Sequence, residues 1–502
     1  MIARLRRLPG ATLLLALAAC SPESGDTAAL PTTSTTGGTS SSEPTTTDGG
    51  GASTAPDPST SSTATTAADT SSSTGGGTGG DPVAPQVLLP RASLQASELA
   101  VLANDQDPQS MAVAAYYLER RQVPQANLVV LSFPVGDALS AADFAGLKGQ
   151  VDAAVGPDIE AFAVAWTRPY RVDCQSLVSA LALGHDPGKY CSQPCSETAP
   201  TDYFDSTSLR PYTDHGLRPA MHLAGTSVDN VKAVIDRGVE ADGTQPVGTG
   251  YFVRTTDPDR SVRFPYFMAT VDQWNSPDLL KMEYRDLSGM PGADYLTGET
   301  DILFYFTGLA SVPDIEKNTY LPGAVADHLT SYGGQICDSG QMSICRWLEA
   351  GATGSYGTAV EPCNYPAKFT DTAKFVAHYW RGETLLEAYW KSVHWPGEGV
   401  FIGEPLARPF AGATVDFDPG TLELTITTTQ FAPGVTYSIA SGPSYPWMFN
   451  YGITGIDFTA PIALSCTITP PAMNTWTIPT IAPWSGSAAT EPMFRWVRTQ
   501  ID

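Results

Sequence analysis

The chain has 502 residues and carries 52 acidic against 28 basic side chains, a formal net charge of −24. An acidic excess of this size argues against nucleic acid as a partner and against electrostatic docking on anionic lipid; solubility outside a cell is its simpler meaning. The length exceeds what one small domain needs and leaves room for two, one large and one small.

Arg4, Arg6 and Arg7 make a basic start, and Ala11 to Ala19 is a short apolar run that ends at Cys20. This is the charged and then apolar order of an export signal, and it falls short of the about 20 apolar residues that a bilayer span needs. The junction Leu17-Ala18-Ala19-Cys20 resembles the bacterial lipobox, in which the Cys is diacylated and becomes the new N-terminus. That resemblance implies a leader over residues 1–19 and a membrane anchor through Cys20, because several acyl chains hold where a single one does not. Ser21 resembles the residue found in lipoproteins routed to the outer membrane, so the expected location is the outer membrane or cell surface. Residues 20–82 are almost all Ser, Thr, Gly and Pro. They cannot bury enough surface to offset the entropy of ordering, and form a disordered stalk with a span on the order of 45 Å.

Seven cysteines follow Cys20: Cys174, Cys191, Cys195, Cys337, Cys345, Cys363 and Cys466. Outside the cytosol they are expected to pair, with one left over. Cys191-Ser-Gln-Pro-Cys195 has the outline of a metal knuckle, but export favours a disulfide cluster with Cys174. Cys337 and Cys345 offer a second pair. No metal and no cofactor is expected.

From Leu99 to about Phe410 apolar runs alternate with helical stretches. Leu99–Ala103 is apolar, and Asp107 as cap with Pro108 at the first position opens a helix carrying Met111, Ala114, Ala115 and Leu118. Val123-Pro124 closes it. Leu128–Leu131 and Phe162–Trp166 read as fully buried strands, Met221–Ala224 as a weak one. Val228–Arg237 reads as a helix ended by Gly238. Asp301–Phe306 is the strongest strand. Pro322–Leu329 reads as the start of a helix and Met342–Ala350 as another. Ala352–Thr358 is a small-residue strand and turn, Thr384–Val393 an amphipathic helix, and Val400–Ile402 a last strand. Short continuous apolar runs between helices predict an α/β fold, a three-layer sandwich around a mostly parallel sheet, over residues 83–410. Val415 and Phe417, then Leu422, Leu424 and Ile426, then Val435, Tyr437 and Ile439 alternate with polar neighbours. Residues 411–502 are therefore antiparallel strands in a β domain or extension.

Several ordered motifs carry a resemblance. Gly351-Ala-Thr-Gly-Ser-Tyr-Gly-Thr358 leads to Glu361-Pro362, Lys368-Phe369, Gly382-Glu383, Glu387-Ala388-Tyr389 and Gly403-Glu-Pro-Leu-Ala-Arg-Pro409. With Tyr116-Tyr117, Arg121-Gln-Val-Pro124 and Asn127, they resemble an uncharacterised family of exported bacterial proteins over most of residues 97–410. That family implies no established activity. Its layout in turn resembles the gingipain and caspase class of cysteine peptidases, which carries a His-Gly after one central strand and a Cys after the next. On that mapping the His position after Asp301–Phe306 holds Leu309, and no Cys lies in Ala326–Ser331. The dyad is absent.

Asp327, His328 and Ser331 remain as a carboxylate, an imidazole and a hydroxyl within five residues, the parts of an acyl-transfer site. On a helix Asp327 and Ser331 would be neighbours and His328 would point elsewhere, so local capping is the stronger reading. Gly308, Ser311, Thr353, Ser355, Tyr356 and Glu361 lie at strand ends and are candidate binding residues. Gly354 and Gly357 fit close helix packing better than close approach of a ligand, and the segment lacks the Lys of a phosphate loop. His185, His215, His222, His378 and His394 lack metal-site spacing, with His378 and His394 expected on separate helices. Asp257-Pro-Asp259 is too small a set for calcium. Two functions follow: a lipid-anchored binding or pseudo-peptidase surface protein taking a peptide, glycan or protein ligand, or a hydrolase using Asp327, His328, Ser331 and Glu361.

Overall fold

A computed structural model describes residues 91–192, 195–276, 280–418 and 423–430, together with strands Val87–Leu88, Val435–Ser441, Trp447–Ile453, Leu464–Ile468 and Phe494–Gln500. The leader, Cys20 and the stalk lie outside the described residues.

Ten strands form one sheet: β1 Leu99–Asn104, β2 Leu128–Leu131, β3 Ala161–Val164, β4 Ala220–His222, β5 Thr249–Arg254, β6 Lys281–Asp286, β7 Ile302–Thr307, β8 Tyr320–His328, β9 Gly354–Thr358 and β10 Gly399–Gly403. Their order is β6-β5-β7-β8-β9-β10-β4-β3-β1-β2. Read inward from either edge, the first four strands follow the same order: second, first, third, fourth. Every pairing is parallel except β9 with β10. The direction therefore reverses once, at mid-sheet, and the two halves run opposite ways. Carboxyl ends of β1, β3 and β4 open on one sheet edge; those of β5, β7 and β8 open on the other.

The principal helices are α1 Pro108–Arg121, α2 Ala141–Ala154, α3 Leu177–Leu183, α4 Val228–Ala241, α5 Phe264–Trp274, α6 Cys345–Ala350, α7 Thr372–Trp380 and α8 Leu385–Trp390. α1, α4 and α6 pack side by side in one layer, and α5, α7 and α8 in the other. This is the α/β sandwich expected, with a large, mostly parallel central sheet. Asp107 caps α1 through Gln109 N, and Thr384 and Glu387 form a reciprocal capping box on α8. α8 is not amphipathic, because Leu385 to Trp390 are all buried.

Several expectations are corrected. Pro322–Leu329 is not a helix but most of β8, a central strand buried on both faces. Val325 belongs with Phe304, Phe306 and Phe375 on one side, Ala324 and Ala326 with Tyr305 and Trp347 on the other. A strand buried twice shows no alternation of apolar and polar residues, so periodicity cannot separate it from a helix. Gly238 does not end α4 but lies inside it, where a Cβ would come within 2.5 Å of the Glu404 carboxylate. β2 is an edge strand rather than a buried one, and Val130 on it is 47% exposed. Ala115 points outward from α1; Val113, Ala114, Tyr117 and Leu118 face in.

Cys174 is bonded to Cys191 and Cys337 to Cys345. Cys195 does not join the Cys174 cluster; it crosses to Cys363, 168 residues away. Beyond Pro409 the alternating segments are antiparallel strands as expected: Thr414–Asp418 pairs with Glu423–Thr428, which pairs with Leu464–Ile468. Val435–Ser441 lies between Trp447–Ile453 and Phe494–Gln500. Among the described residues no helix is long and apolar enough to cross a membrane.

Candidate functional site

β8 ends at the sheet edge where ligands of parallel sheets are usually held, and its last two residues are Asp327 and His328. Strand geometry sends consecutive side chains to opposite faces, and the structure places these two accordingly. His328 is buried on the α6 side, where its Nδ1 accepts from Trp347 Nε1 at 2.9 Å and its Nε2 meets the Met342 carbonyl at 3.1 Å. The first bond requires the Nε2–H tautomer, so both ring nitrogens are engaged. Burial pushes the imidazole down to about 3. Ser331 lies past the strand end, and its backbone N–H donates to Gln341 Oε1 at 3.0 Å. Asp327, His328 and Ser331 are thus not brought together as an acyl-transfer set, and the i,i+4 relation expected on a helix does not exist.

The candidate binding residues are dispersed. Gly308 lies where the β5–α5 loop crosses β7: a Cβ there would sit 1.9 Å from the Arg260 carbonyl, and the Gly308 carbonyl accepts from Thr255 Oγ1 at 2.6 Å. The chain itself fills the crevice between β5 and β7. Ser311 is exposed; Thr353 and Ser355 are buried. Thr353 Oγ1 accepts from Gly323 N at 3.0 Å. Tyr356 is buried among Phe369, Tyr389 and Phe401 and donates its hydroxyl to the Lys368 carbonyl at 2.5 Å. Glu361 is exposed and accepts from Cys363 N at 2.8 Å. Gly354 and Gly357 serve packing, since Cβ atoms there would strike Leu385 at 2.5 Å and Ile344 at 2.7 Å.

Polar chemistry gathers instead around residues 366–371, on the α5 and α7 side of the same edge. Asp327 accepts from Arg263 Nη2 at 2.7 Å and from Thr370 Oγ1 at 2.8 Å. The same Nη2 donates to the Thr307 carbonyl at 2.6 Å. Arg263 is 1% exposed, and Phe267 and Phe369 lie over its guanidinium at 5.3 Å and 5.6 Å. Burial pushes the Asp327 carboxyl up, and Arg263 and Thr370 pull it back. A cavity of about 110 Å³ opens beside this pair, lined by Phe204, Arg263, Tyr266, Phe369, Asp371 and His394 with smaller neighbours.

Next to it, Lys368 Nζ donates to Ser192 Oγ at 2.6 Å and to Glu398 Oε2 at 2.9 Å. Glu398 Oε1 accepts from both the N–H and the hydroxyl of Ser192 at 2.7 Å. Burial lowers the Lys368 ammonium, and Glu398 opposes that. A serine hydroxyl against a lysine suggests a nucleophile and its base. Here the hydroxyl is committed to a carboxylate and Lys368 and Glu398 are each 1% exposed, so the trio is a clamp fixing the disulfide-flanked loop at Ser192 to the start of β10.

Sequence reading passed over Arg263, Thr370 and Glu398 because their partners are distant; Arg263 and Asp327 are 64 residues apart. Lys368 was noticed only as part of a motif. Asp257 caps its own turn and pairs with Arg260 at 2.7 Å, and Asp259 is exposed. His378 lies on α7 against Glu383 at 2.8 Å; His394 follows α8, outside any helix, with its ring 4.7 Å from Phe204. Trp166, Trp347, Trp380 and Trp390 are buried. Among the described residues no cluster of three His, Cys, Asp or Glu side chains is placed to hold a metal ion.

No family model matches the sequence, and no curated protein matches it. A solved structure described as a protease is similar at a TM-score of 0.34 and 11% identity, over 80% of this chain and 97% of that one. A likeness this low carries no argument about activity.

Proposed function

We propose that this chain is an exported, lipid-tethered binding protein: a peptidase-like α/β domain without acyl-transfer machinery, held outside the cytoplasm through Cys20, at the outer membrane. The observation that carries the reading is His328. An imidazole with both nitrogens engaged inside the sheet, on the opposite face from Asp327, cannot relay a proton between a hydroxyl and a substrate. The missing His and Cys at the peptidase positions support the same conclusion. Three disulfides among the described residues fit an oxidising compartment. The signal-like start and Cys20 supply the tether, and the acidic surface gives no reason for contact with lipid headgroups beyond it.

The reading is tested on the full chain with fluorophosphonate and thiol-reactive activity probes, beside His328→Ala. No labelling of the wild type is expected. Labelling that disappears in His328→Ala would establish a hydrolase and end this reading. Partition into detergent is the test of the tether, and it is expected to be lost in Cys20→Ser.

A further inference from the structure

Arg218 leads into β4 and is a buried cation without a counter-charge. It is 8% exposed and makes no ion pair among the described residues. Its Nε donates to the Ile159 carbonyl at 2.7 Å and its Nη2 to the Gly156 carbonyl at 3.1 Å. The Tyr212 ring centroid lies 3.3 Å from its guanidinium carbon, and that of Phe162 5.9 Å away. The neighbouring Glu160 carboxylate is committed elsewhere, to Tyr212 N at 2.7 Å, Thr213 N at 3.2 Å and Thr213 Oγ1 at 2.5 Å. A buried charge is normally paired, so the missing partner needs a reason.

A guanidinium is a planar fork, with Nε and Nη2 along one edge and Nη1 and Nη2 along the next. Carbonyls of the α2–β3 loop take the first edge, and Tyr212 covers a face. The second edge is left. Nη1 finds no acceptor among the described residues and is not sealed from solvent. Its N–H and the second N–H of Nη2 are neighbours pointing the same way, the arrangement that takes both oxygens of one carboxylate. Arg218 lines a cavity of about 460 Å³, together with Tyr212 and Phe162 that flank it and Pro157 of the loop that holds it. That volume falls within the about 300–1,000 Å³ of small-molecule sites. Leu181 and Ala182 of α3 add apolar wall beside Phe162. Lys148 and Asp152 of α2 stand at the mouth, paired with each other at 2.5 Å. Two cations against one carboxylate leave the lining with one positive charge, which a monoanion balances.

We propose that this cavity binds a small organic acid as its monoanion, with the carboxylate on the free Nη1–Nη2 edge of Arg218 and the apolar body against Phe162, Leu181 and Ala182. The loop carbonyls and the Tyr212 ring hold the guanidinium in place before the ligand arrives, so little ordering remains to be done on binding. Lys148 adds a second positive charge at the entrance. Aliphatic and aromatic acids share this chemistry, and the test separates them. The inference adds a ligand site to the binding-protein reading, and each can fail alone: labelling that depends on His328 ends that reading and says nothing against this cavity.

The test is calorimetric titration of the full chain at matched ionic strength with hexanoate, 3-phenylpropionate, 3-phenylpropanamide and acetate. Saturable binding of hexanoate or 3-phenylpropionate is expected, and the tighter of the two identifies the kind of acid. The amide lacks the anion and acetate lacks the body, so each should bind more weakly by about tenfold or more. Arg218→Met should lower affinity for the acid by at least about tenfold, but it also strands two loop carbonyls. Lys148→Glu is therefore the second variant. It sits on the outer side of α2, leaves Arg218 alone and turns the lining's charge negative; about tenfold weaker binding is expected, with a thermal midpoint close to wild type. Absence of saturable binding by both acids, an amide that binds as tightly as its acid, or a Lys148→Glu protein that binds like wild type overturns the assignment.

Discussion

Mild acid should destabilise this domain well before its ion pairs are protonated, and the cause is two histidines that end corresponding strands. His222 ends β4 and His328 ends β8, each wholly buried. Burial holds His222 down to about 4 and His328 to about 3, against an ordinary value of 6.5. Above pH 6.5 both are neutral folded or unfolded, and the stability they contribute is fully present. Below it the unfolded chain takes up protons that the fold refuses, so stability falls with pH by about 1.4 kcal/mol per unit for each histidine. The loss reaches about 3 kcal/mol for His222 near pH 4 and about 5 kcal/mol for His328 near pH 3. Glu383 and Asp205, held down to about 2 by His378 with Lys391 and Lys374 respectively, keep their contribution until the pH drops below the ordinary carboxylate range. Asp327, Asp371 and Glu387 are pushed up by burial and act with the opposite sign. The measurement is therefore a difference: urea unfolding of wild type and of His328→Asn at half-unit steps from pH 7 to 5. The variant's slope should be shallower by about 1.4 kcal/mol per unit below pH 6.5. Parallel curves would show that His328 is not held neutral, and the account of its hydrogen bonds would fall with it.

Lys368→Met and Glu398→Gln should each destabilise by about 3–5 kcal/mol, because each strands a buried partner, while the double variant should cost less than their sum; additive values in urea unfolding would remove the clamp. Gly308→Ala should cost about 3 kcal/mol, since the new methyl meets the Arg260 carbonyl and one of the two backbones must shift; a thermal midpoint equal to wild type refutes the packing assigned to that loop. Replacing Cys195 and Cys363 together by Ser should lower stability by about 2–5 kcal/mol, as the bond closes a loop of 168 residues; an unchanged unfolding midpoint under oxidising conditions argues against the link.

What could be read from the sequence was whatever is local. Asp107-Pro108 and Thr384 with Glu387 announce helix starts because capping is decided within four residues. β7 is legible from Ile302 to Phe306 because a continuous apolar run bounded by polar residues has few alternatives. Alternation alone marks Val415 and Phe417, and Leu424 and Ile426, as strand positions, while the register that pairs Val415 with Ile426 and Phe417 with Leu424 comes from the fold. β8 was misread because Pro322, Gly323 and its alanines are small and apolar with no period. β6 was missed because an edge strand carrying Lys281, Glu283, Arg285 and Asp286 looks like surface, charges that also blunt the edge against stray pairing. The site was harder still: Asp327 was noticed for its neighbours His328 and Ser331, yet its partners are Arg263 and Thr370, which only the folded sheet brings near.

The reversal between β9 and β10 separates the strand-end crevices of the two halves. Opposed halves put their carboxyl ends on opposite edges, so residues from one crevice cannot complete the other. In the first half, the ends of β1 and β3 are filled by Phe133 against Trp166 at 5.0 Å, with Asn104 donating to the Phe133 carbonyl at 2.9 Å and Trp166 to that of Pro169 at 3.1 Å. In the second half, the β5–β7 crevice is filled by the chain at Gly308, but the space beside β8 is floored by a guanidinium that uses only part of its fork. His222 and His328 hold equivalent strand ends, and a neutral imidazole suffices at both. Of these two strand ends, that of β8 also carries a charge, next to His328 on the other face of the strand, where Asp327 keeps Arg263 in the interior. Asp327 is then better understood as the residue that positions an arginine than as one third of a triad.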